Sequence, residues 1–196
     1  MTRNELECVE DIDYLEEQNC DFSSVSFDFK TISDSSFDSV SFSSSSFKSA
    51  VLINVCFIDC DLSECDFSSA HLTHCTFKGS KLFGTSFYGA VLRKCTFIKD
   101  LLKYATFSNL VFDNSIIDDC SISDSAFEAI ASKKSSITNS TLSHTSLKDT
   151  LLKDINLRNT DLSSILLSEN KKEIVQARLD VSQALDIIRQ FSVDIY

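Results

Sequence analysis

The sequence predicts a solenoid, and three observations carry that expectation. First, from Phe22 to Leu167 an apolar residue returns at every fifth position without a slip of register. The series begins Phe22, Phe27, Ile32, Phe37, Phe42, Phe47, and of its thirty slots only Ser132 is not Phe, Leu or Ile. A helix needs apolar residues at 3.6 spacing and a strand at 2, so neither template produces a sustained five. A fixed internal period is the mark of stacked repeats. Second, the residue two before each centre is mostly small, as at Cys20, Val25, Ser35, Ser45, Ala50, Cys60, Cys65, Ala70, Cys75, Thr85 and Cys95. Third, sorting the centres by steps of twenty puts Phe27, Phe47, Phe67, Phe87, Phe107 and Phe127 in one column and Phe37, Phe57, Phe77 and Phe97 in another. Leu52, Leu72 and Leu92 stack between them, which is what a narrow interior filled without voids requires.

Taken in order, residues 1–20 form an acidic N-terminal cap. Leu6, Val9, Ile12 and Leu15 fit one stripe of a short helix, with Glu10, Asp11, Asp13, Glu16 and Glu17 around it. Such a segment covers the first coil of a stack and doubles as an acidic recognition surface. Residues 21–168 are the repeat array. Lys30 and Asp100 fall in the small inward slot, where an unpaired charge is costly, so local bending or solvent access is expected at both. From Phe127 to Lys134 a Ser takes the central slot and Ile130 the small one, which predicts a bulge or short loop. In residues 169–196 the alternation of Val175, Ala177, Leu179 and Val181 predicts a half-buried strand. Asp180-Val181-Ser182-Gln183 then reads as a helix start with a capping box. Val181, Ala184, Leu185, Ile188 and Phe191 supply the spacing of an amphipathic helix.

Charge narrows the function. The chain nets −11, of which residues 1–21, with eight acids and one base, account for −7. Residues 22–169 hold seventeen acids and thirteen bases, or −4. Direct nucleic-acid binding needs clustered Lys and Arg and is not expected overall, whereas a protein partner with a basic surface is. No apolar run approaches the ~20 residues of a membrane span, and the N-terminus lacks the regions of a secretory signal, so a cytoplasmic protein without membrane contact is expected.

Segments such as Cys60-Asp61-Leu62-Ser63-Glu64, Cys65-Asp66-Phe67-Ser68-Ser69 and Thr160-Asp161-Leu162-Ser163-Ser164 resemble the pentapeptide-repeat family, whose pattern is a small residue, Asp or Asn, Leu or Phe, then two variable positions. The resemblance covers about three quarters of the chain. It implies an all-β solenoid, a right-handed quadrilateral β-helix with a short C-terminal α-helix, in which each pentapeptide makes one side. At ~4.8 Å per coil the rod would be roughly 36 Å long. The resemblance extends to proteins of the Qnr type and the mycobacterial fluoroquinolone-resistance protein. It therefore implies a non-catalytic protein that binds a type II topoisomerase, DNA gyrase, with or without mimicry of DNA, protecting it from quinolones or toxins. In gyrase-inhibiting members a C-terminal helix builds a tail-to-tail dimer, and the helix carrying Val181, Ala184, Leu185, Ile188 and Phe191 is the corresponding expectation here. The alternative function is a general interaction scaffold with no topoisomerase role.

No constellation points to chemistry. Six of the eight cysteines occupy the small slot as compact hydrophobes, expected to be free thiols. Cys56, Cys60, Cys65, His71, His74 and Cys75 lack zinc spacing, and the register sends the histidines outward and three of the thiols inward. No metal, cofactor or catalytic residue is expected. The outward slots offer instead an apolar patch of Phe83, Tyr88, Leu101 and Tyr104 beside Gly79, Gly84 and Gly89, with Gly84 directly under Tyr104.

Overall fold

The computed structural model describes residues 3–189. A five-residue period becomes a square because each repeat contains one corner. From Tyr14 to Asp149 every fifth residue has a positive φ, between 47° and 67°, and this left-handed residue turns the chain toward the next wall. Four repeats close one coil, so residues twenty apart lie above one another. We name the walls by their central residues: A from Ile12 to Leu152, B from Glu17 to Leu157, C from Phe22 to Leu162 and D from Phe27 to Leu167. Walls A and B are parallel sheets of seven and eight strands, while C and D are joined by single parallel bridges such as Lys81↔Leu101 and Ser86↔Thr106. The register is twenty throughout, as in Leu52↔Leu72 and Phe77↔Phe97.

The central residues fill the interior. On wall D the rings of Phe27, Phe47 and Phe67 stack at 4.6 and 4.5 Å between centroids, and Phe107 and Phe127 continue the column at 4.4 Å. The Phe57–Phe77–Phe97 column rises on the opposite wall B at 5.0 and 4.6 Å. The two columns meet edge to face, with Phe77 at 88° to both Phe67 and Phe87 and 6.2 and 6.1 Å away. This is a favoured aromatic geometry, worth about 0.5–1.5 kcal/mol per pair beyond area burial.

The small inward residues do more than fit. Thr150 accepts a hydrogen bond from Ile130 N, twenty residues earlier, and donates to Phe127 O, twenty-three earlier, at 3.0 and 2.7 Å. Ser135 repeats this with Ser115 N and Phe112 O at 3.1 and 2.8 Å. Cys65 donates to Phe42 O at 2.9 Å, so these thiols are hydrogen-bond donors as well as small hydrophobes. The Asp before a central residue has its own task. Asp61, Asp66 and Asp161 accept from the N–H two residues on, at 3.0, 2.8 and 2.8 Å, a donor engaged locally as in an Asx turn. The repeat signature is thus a list of side chains that complete the backbone.

Asp100 shows the rule under stress. It is fully buried, with neither the bending nor the solvent access that its charge led us to expect. Oδ1 accepts from Ser80 N at 2.7 Å, but Oδ2 is buried without a partner. Burial pushes the carboxyl up to about 7. A protonated Oδ2 would be a donor, as the hydroxyl is elsewhere: Ser80 Oγ, one coil earlier, donates to Phe57 O and Lys78 O at 3.3 and 3.4 Å. Lys30, half-buried in its slot, reaches Val9 O.

Both ends differ from expectation. Helix α1 covers only Arg3–Cys8, and the coil already begins with the strands Asp11–Asp13 and Glu16–Gln18. Ile12 is therefore not on a helical stripe but centres wall A, paired with Ile32. Glu17 takes the central slot of wall B opposite Phe37 and is half-buried rather than part of an outward acidic patch. The parallel ladder of the next coil outcompetes the weak helical period. Likewise no bulge interrupts Phe127–Lys134. Ser132 pairs with Phe112 and Ile137 with Ile117, because Ala131 N still bonds Leu110 O at 3.0 Å whatever the side chain.

The expected strand around Val175 is absent among the described residues; a 3-10 turn, Lys172–Ile174, occupies its start. Val175 is 58% exposed and Glu173 fully buried, while Ala177 and Leu179 keep the half-buried places the alternation gave them. The reason is backbone satisfaction. In lower coils Ala129 N bonds Lys148 O, nineteen residues on. For Asp149 N the acceptor is instead Glu173 Oε1 at 2.9 Å. Burial alone would raise this carboxyl, yet hydrogen bonds from Ser168 and Asp149 N outweigh it and lower its pKa. Helix α2, Val181–Arg189, does begin with the capping box, Asp180 N to Gln183 Oε1 at 3.1 Å and Gln183 N to Asp180 Oδ1 at 2.9 Å.

Two stability predictions follow from these contacts. Folding raises the Asp100 pKa from its ordinary value near 4 to about 7, so its contribution is complete below about pH 4 and is lost as pH rises through 7, by about 4 kcal/mol in all. Asp100→Asn keeps an acceptor and a donor in place. Urea unfolding should give the variant the stability of the wild type within about 1 kcal/mol at pH 4 and a clear advantage at pH 8; equal loss at both pH values would refute protonation. The second concerns a corner. Phe29 combines φ 63° with 79% exposure, a bulky residue in a region that costs about 1 kcal/mol. Asn occupies the same corner position at Asn54 and Asn109. Phe29→Asn should raise stability by about 1 kcal/mol in the same assay, and a loss would show that Phe29 packs on something.

Candidate interaction surfaces

With the interior committed to packing, recognition falls to corners, walls and ends. Corners are the most telling, since a bulky residue with positive φ is an outlier that directs attention to function. Three aromatic residues occupy corners and are exposed: Tyr14 at 78%, Phe29 at 79% and Tyr104 at 59%. Tyr14 and Phe29 make no ring contact among the described residues, whereas Lys103 Nζ lies 4.8 Å from the Tyr104 ring centroid and 3.3 Å from Asp124.

The mid-rod patch assembles around Tyr104, on the corner between walls C and D. Phe83 is half-buried on wall C in the coil below, and Leu101, 41% exposed, pairs there with Lys81. Tyr88, 52% exposed, belongs to wall D on the other side of the corner. So three of the four expected patch residues share wall C, and Tyr88 joins them only around the corner. Gly84, the corner residue below Tyr104, has φ 67°; a Cβ there would lie 2.5 Å from Glu64 Oε1. Since many non-glycine residues form this corner elsewhere, it is the Glu64 side chain folded over position 84 that a larger residue would displace. The position under Tyr104 is thus covered by the Glu64 carboxylate from one coil below.

At the N-terminal end Glu10, Asp11, Asp13 and Glu16 are exposed, as expected, while Glu17 is turned into the end of the core. At the C-terminal end α2 packs through Gln183 and Ile187, 4% and 3% exposed, not through the expected stripe. Gln183 Nε2 donates to Leu157 O and Thr160 O at 2.6 and 2.8 Å, replacing the donors that another coil would supply. Ala184 and Leu185 are half-buried; Val181, at 77%, and Ile188, at 37%, face solvent; and Phe191 lies outside the described residues.

The cysteines are free. Burial pushes the Cys60 thiol up to about 11 and those of Cys65 and Cys120 up to about 12, which leaves no thiolate at neutral pH. Cys75 is raised too, by its hydrogen bond with Cys95 and then by burial. His71 and His74 point outward, and among the described residues no group of three or more His, Cys, Asp or Glu could hold a metal ion. No helix of the described residues is long and apolar enough to cross a membrane.

Comparison with known proteins gives the setting. The family profile of the pentapeptide repeat region matches residues 18–87 and 51–127, together more than half of the chain. No curated protein matches by sequence. Among solved structures the chain is similar to HetL, a pentapeptide repeat protein involved in heterocyst differentiation regulation in the cyanobacterium Nostoc sp. strain PCC 7120. Identity is 16% and the TM-score 0.48, with 83% of this chain and 85% of that one covered. It is also similar to trypsin-treated QnrB1, a plasmid-mediated fluoroquinolone resistance protein, at 19% identity and TM-score 0.45, covering 95% of this chain and 99% of that one. A pentapeptide repeat protein of the Arabidopsis thaliana thylakoid lumen is similar at 19% identity and TM-score 0.42, over 50% of this chain and 67% of that one. On the extent of the profile match, and with a left-handed corner at every fifth residue, this chain belongs to the pentapeptide-repeat family.

Proposed function

We propose that the chain is a non-catalytic interaction rod that presents the corner between walls C and D to a protein partner. One observation carries the reading. Tyr104 holds a left-handed backbone and an exposed ring one coil above Gly84, on the same wall as Phe83 and Leu101. Conformation and exposure are both unfavourable there, and a partner that buries the ring offsets at least the exposure. A rigid wall suits such use because little order is lost on binding. Affinity capture with the full chain should yield partners that weaken at least tenfold on Tyr104→Ser and Phe83→Ser, while Tyr14→Ser, on another corner, leaves them bound. A partner set unchanged by all three removes this corner from the function.

A second reading is binding to DNA gyrase, with protection from quinolones or gyrase toxins. The family resemblance implies it, and the exposed acids of the first coil favour contact with a basic protein surface. Close imitation of DNA is a weaker version. Duplex DNA carries one charge per ~1.7 Å, so a rod of roughly 36 Å would need about twenty, against −4 over residues 22–169. A supercoiling assay with and without a quinolone tests gyrase binding in either form, and neither inhibition nor protection would end this reading. The tail-to-tail homodimer remains a proposal beside it, through Val181, Ala184, Leu185 and Ile188 of α2. The exposed Val181 and Ile188 support it.

A further inference from the structure

The corner between walls A and B has opposite character at the two ends of the rod. Near the C-terminus it opens into a groove of about 790 Å³. The opening has a local cause: in the last coil of wall A a 3-10 turn, Leu152–Asp154, stands where a strand would extend Ala131–Lys133. Ile116, 44% exposed, supplies an apolar floor. Lys134, Lys153, Arg158 and Arg178 line the groove with Asp154 as the lone acid, and among the described residues none of the four cations is ion-paired. Four uncompensated cations beside an apolar floor suit a ligand that brings both acids and a ring.

The first coil presents that combination on the same corner. Tyr14 stands 78% exposed at φ 55°, with Asp11 and Asp13 on wall A before it and Glu16 on wall B after it, all exposed. Nor is any of these three acids ion-paired among the described residues. We propose that the Tyr14 corner of one copy docks into the basic groove of a second copy, head to tail. The ring covers Ile116, an arginine of the rim lies against its face, and the carboxylates meet the lysines. A small free anion would use the cations but leave the floor exposed, whereas the corner answers both. The two patches differ, so a contact made head to tail is heterologous: it leaves a free corner and a free groove at opposite ends, and the assembly grows unless it closes into a ring.

Sedimentation velocity of the full chain tests this. At low ionic strength the wild type should form species that grow with concentration, and at about 0.5 M salt they should dissociate. Tyr14→Ser with Asp13→Lys, and separately Lys134→Glu with Arg158→Glu, should each weaken association at least tenfold with unchanged far-UV circular dichroism. Mixed, the two variants offer one native corner and one native groove, and should form a one-to-one dimer that grows no further. A monomeric wild type at low salt would overturn the proposal. So would association that survives both variants, or that is abolished by Val181→Glu with Ile188→Glu and so belongs to α2.

Discussion

The structure depends on hydrogen bonds that each coil cannot make for itself. A Ser or Thr in the small inward slot, as at Ser135 and Thr150, accepts from an N–H twenty residues earlier and donates to a carbonyl twenty-three earlier, so one side chain closes two backbone groups of the coil below. An unmade buried bond costs about 1–3 kcal/mol, and such bonds recur in coil after coil. Coils are therefore stable only in company, as in other repeat arrays. The same logic explains the end of the stack: with no further coil to bond, Glu173 supplies the acceptor and Gln183 the donors. Both are polar residues buried for what they replace.

That ladder also makes the corners affordable. A left-handed residue every fifth position is unfavourable for most side chains, yet only three of these corners are glycine. Asn, Asp and Ser are frequent there and tolerate the region through local hydrogen bonding. Aromatic residues have no such help, which separates Tyr14, Phe29 and Tyr104 from the ordinary corner. Inward positions answer to packing and bonding, so a residue that is costly in conformation and also exposed is the clearest mark of selection for something outside the chain.

Much of this was legible in the residues themselves. The beat of five and the sorting by twenty anticipated the walls and the facing phenylalanine columns, because an interior this narrow leaves few choices. The start of the coil was not, since Leu6, Val9, Ile12 and Leu15 recur by threes and imitate a helix, and because Glu17 hides a central slot behind a charge. Ser132 misled in the opposite sense: register belongs to the backbone, and one missing side chain does not break it. The aromatic corners were within reach, as Tyr14, Phe29 and Tyr104 share one position of the repeat, but only once that position is known to be left-handed. The groove was beyond reach, because it needs a 3-10 turn in place of one strand and Arg178 returning from beyond the repeats.

Charge then assigns roles to the surfaces that packing leaves free. The body of the rod is nearly balanced, with −4 across residues 22–169, so no long-range field runs along its walls. Its polarity is concentrated at the ends, acidic where the first coil is exposed and basic around the groove. Exposed charges act over about a Debye length, ~8–10 Å, less than the length of the rod. The two ends, proposed to meet a second copy, therefore act apart from one another, and the Tyr104 corner proposed between them should bind with the least dependence on salt. A rod of this kind can hold one partner on its flank while its ends are engaged elsewhere, because no contact at one site need disturb the core that all three share.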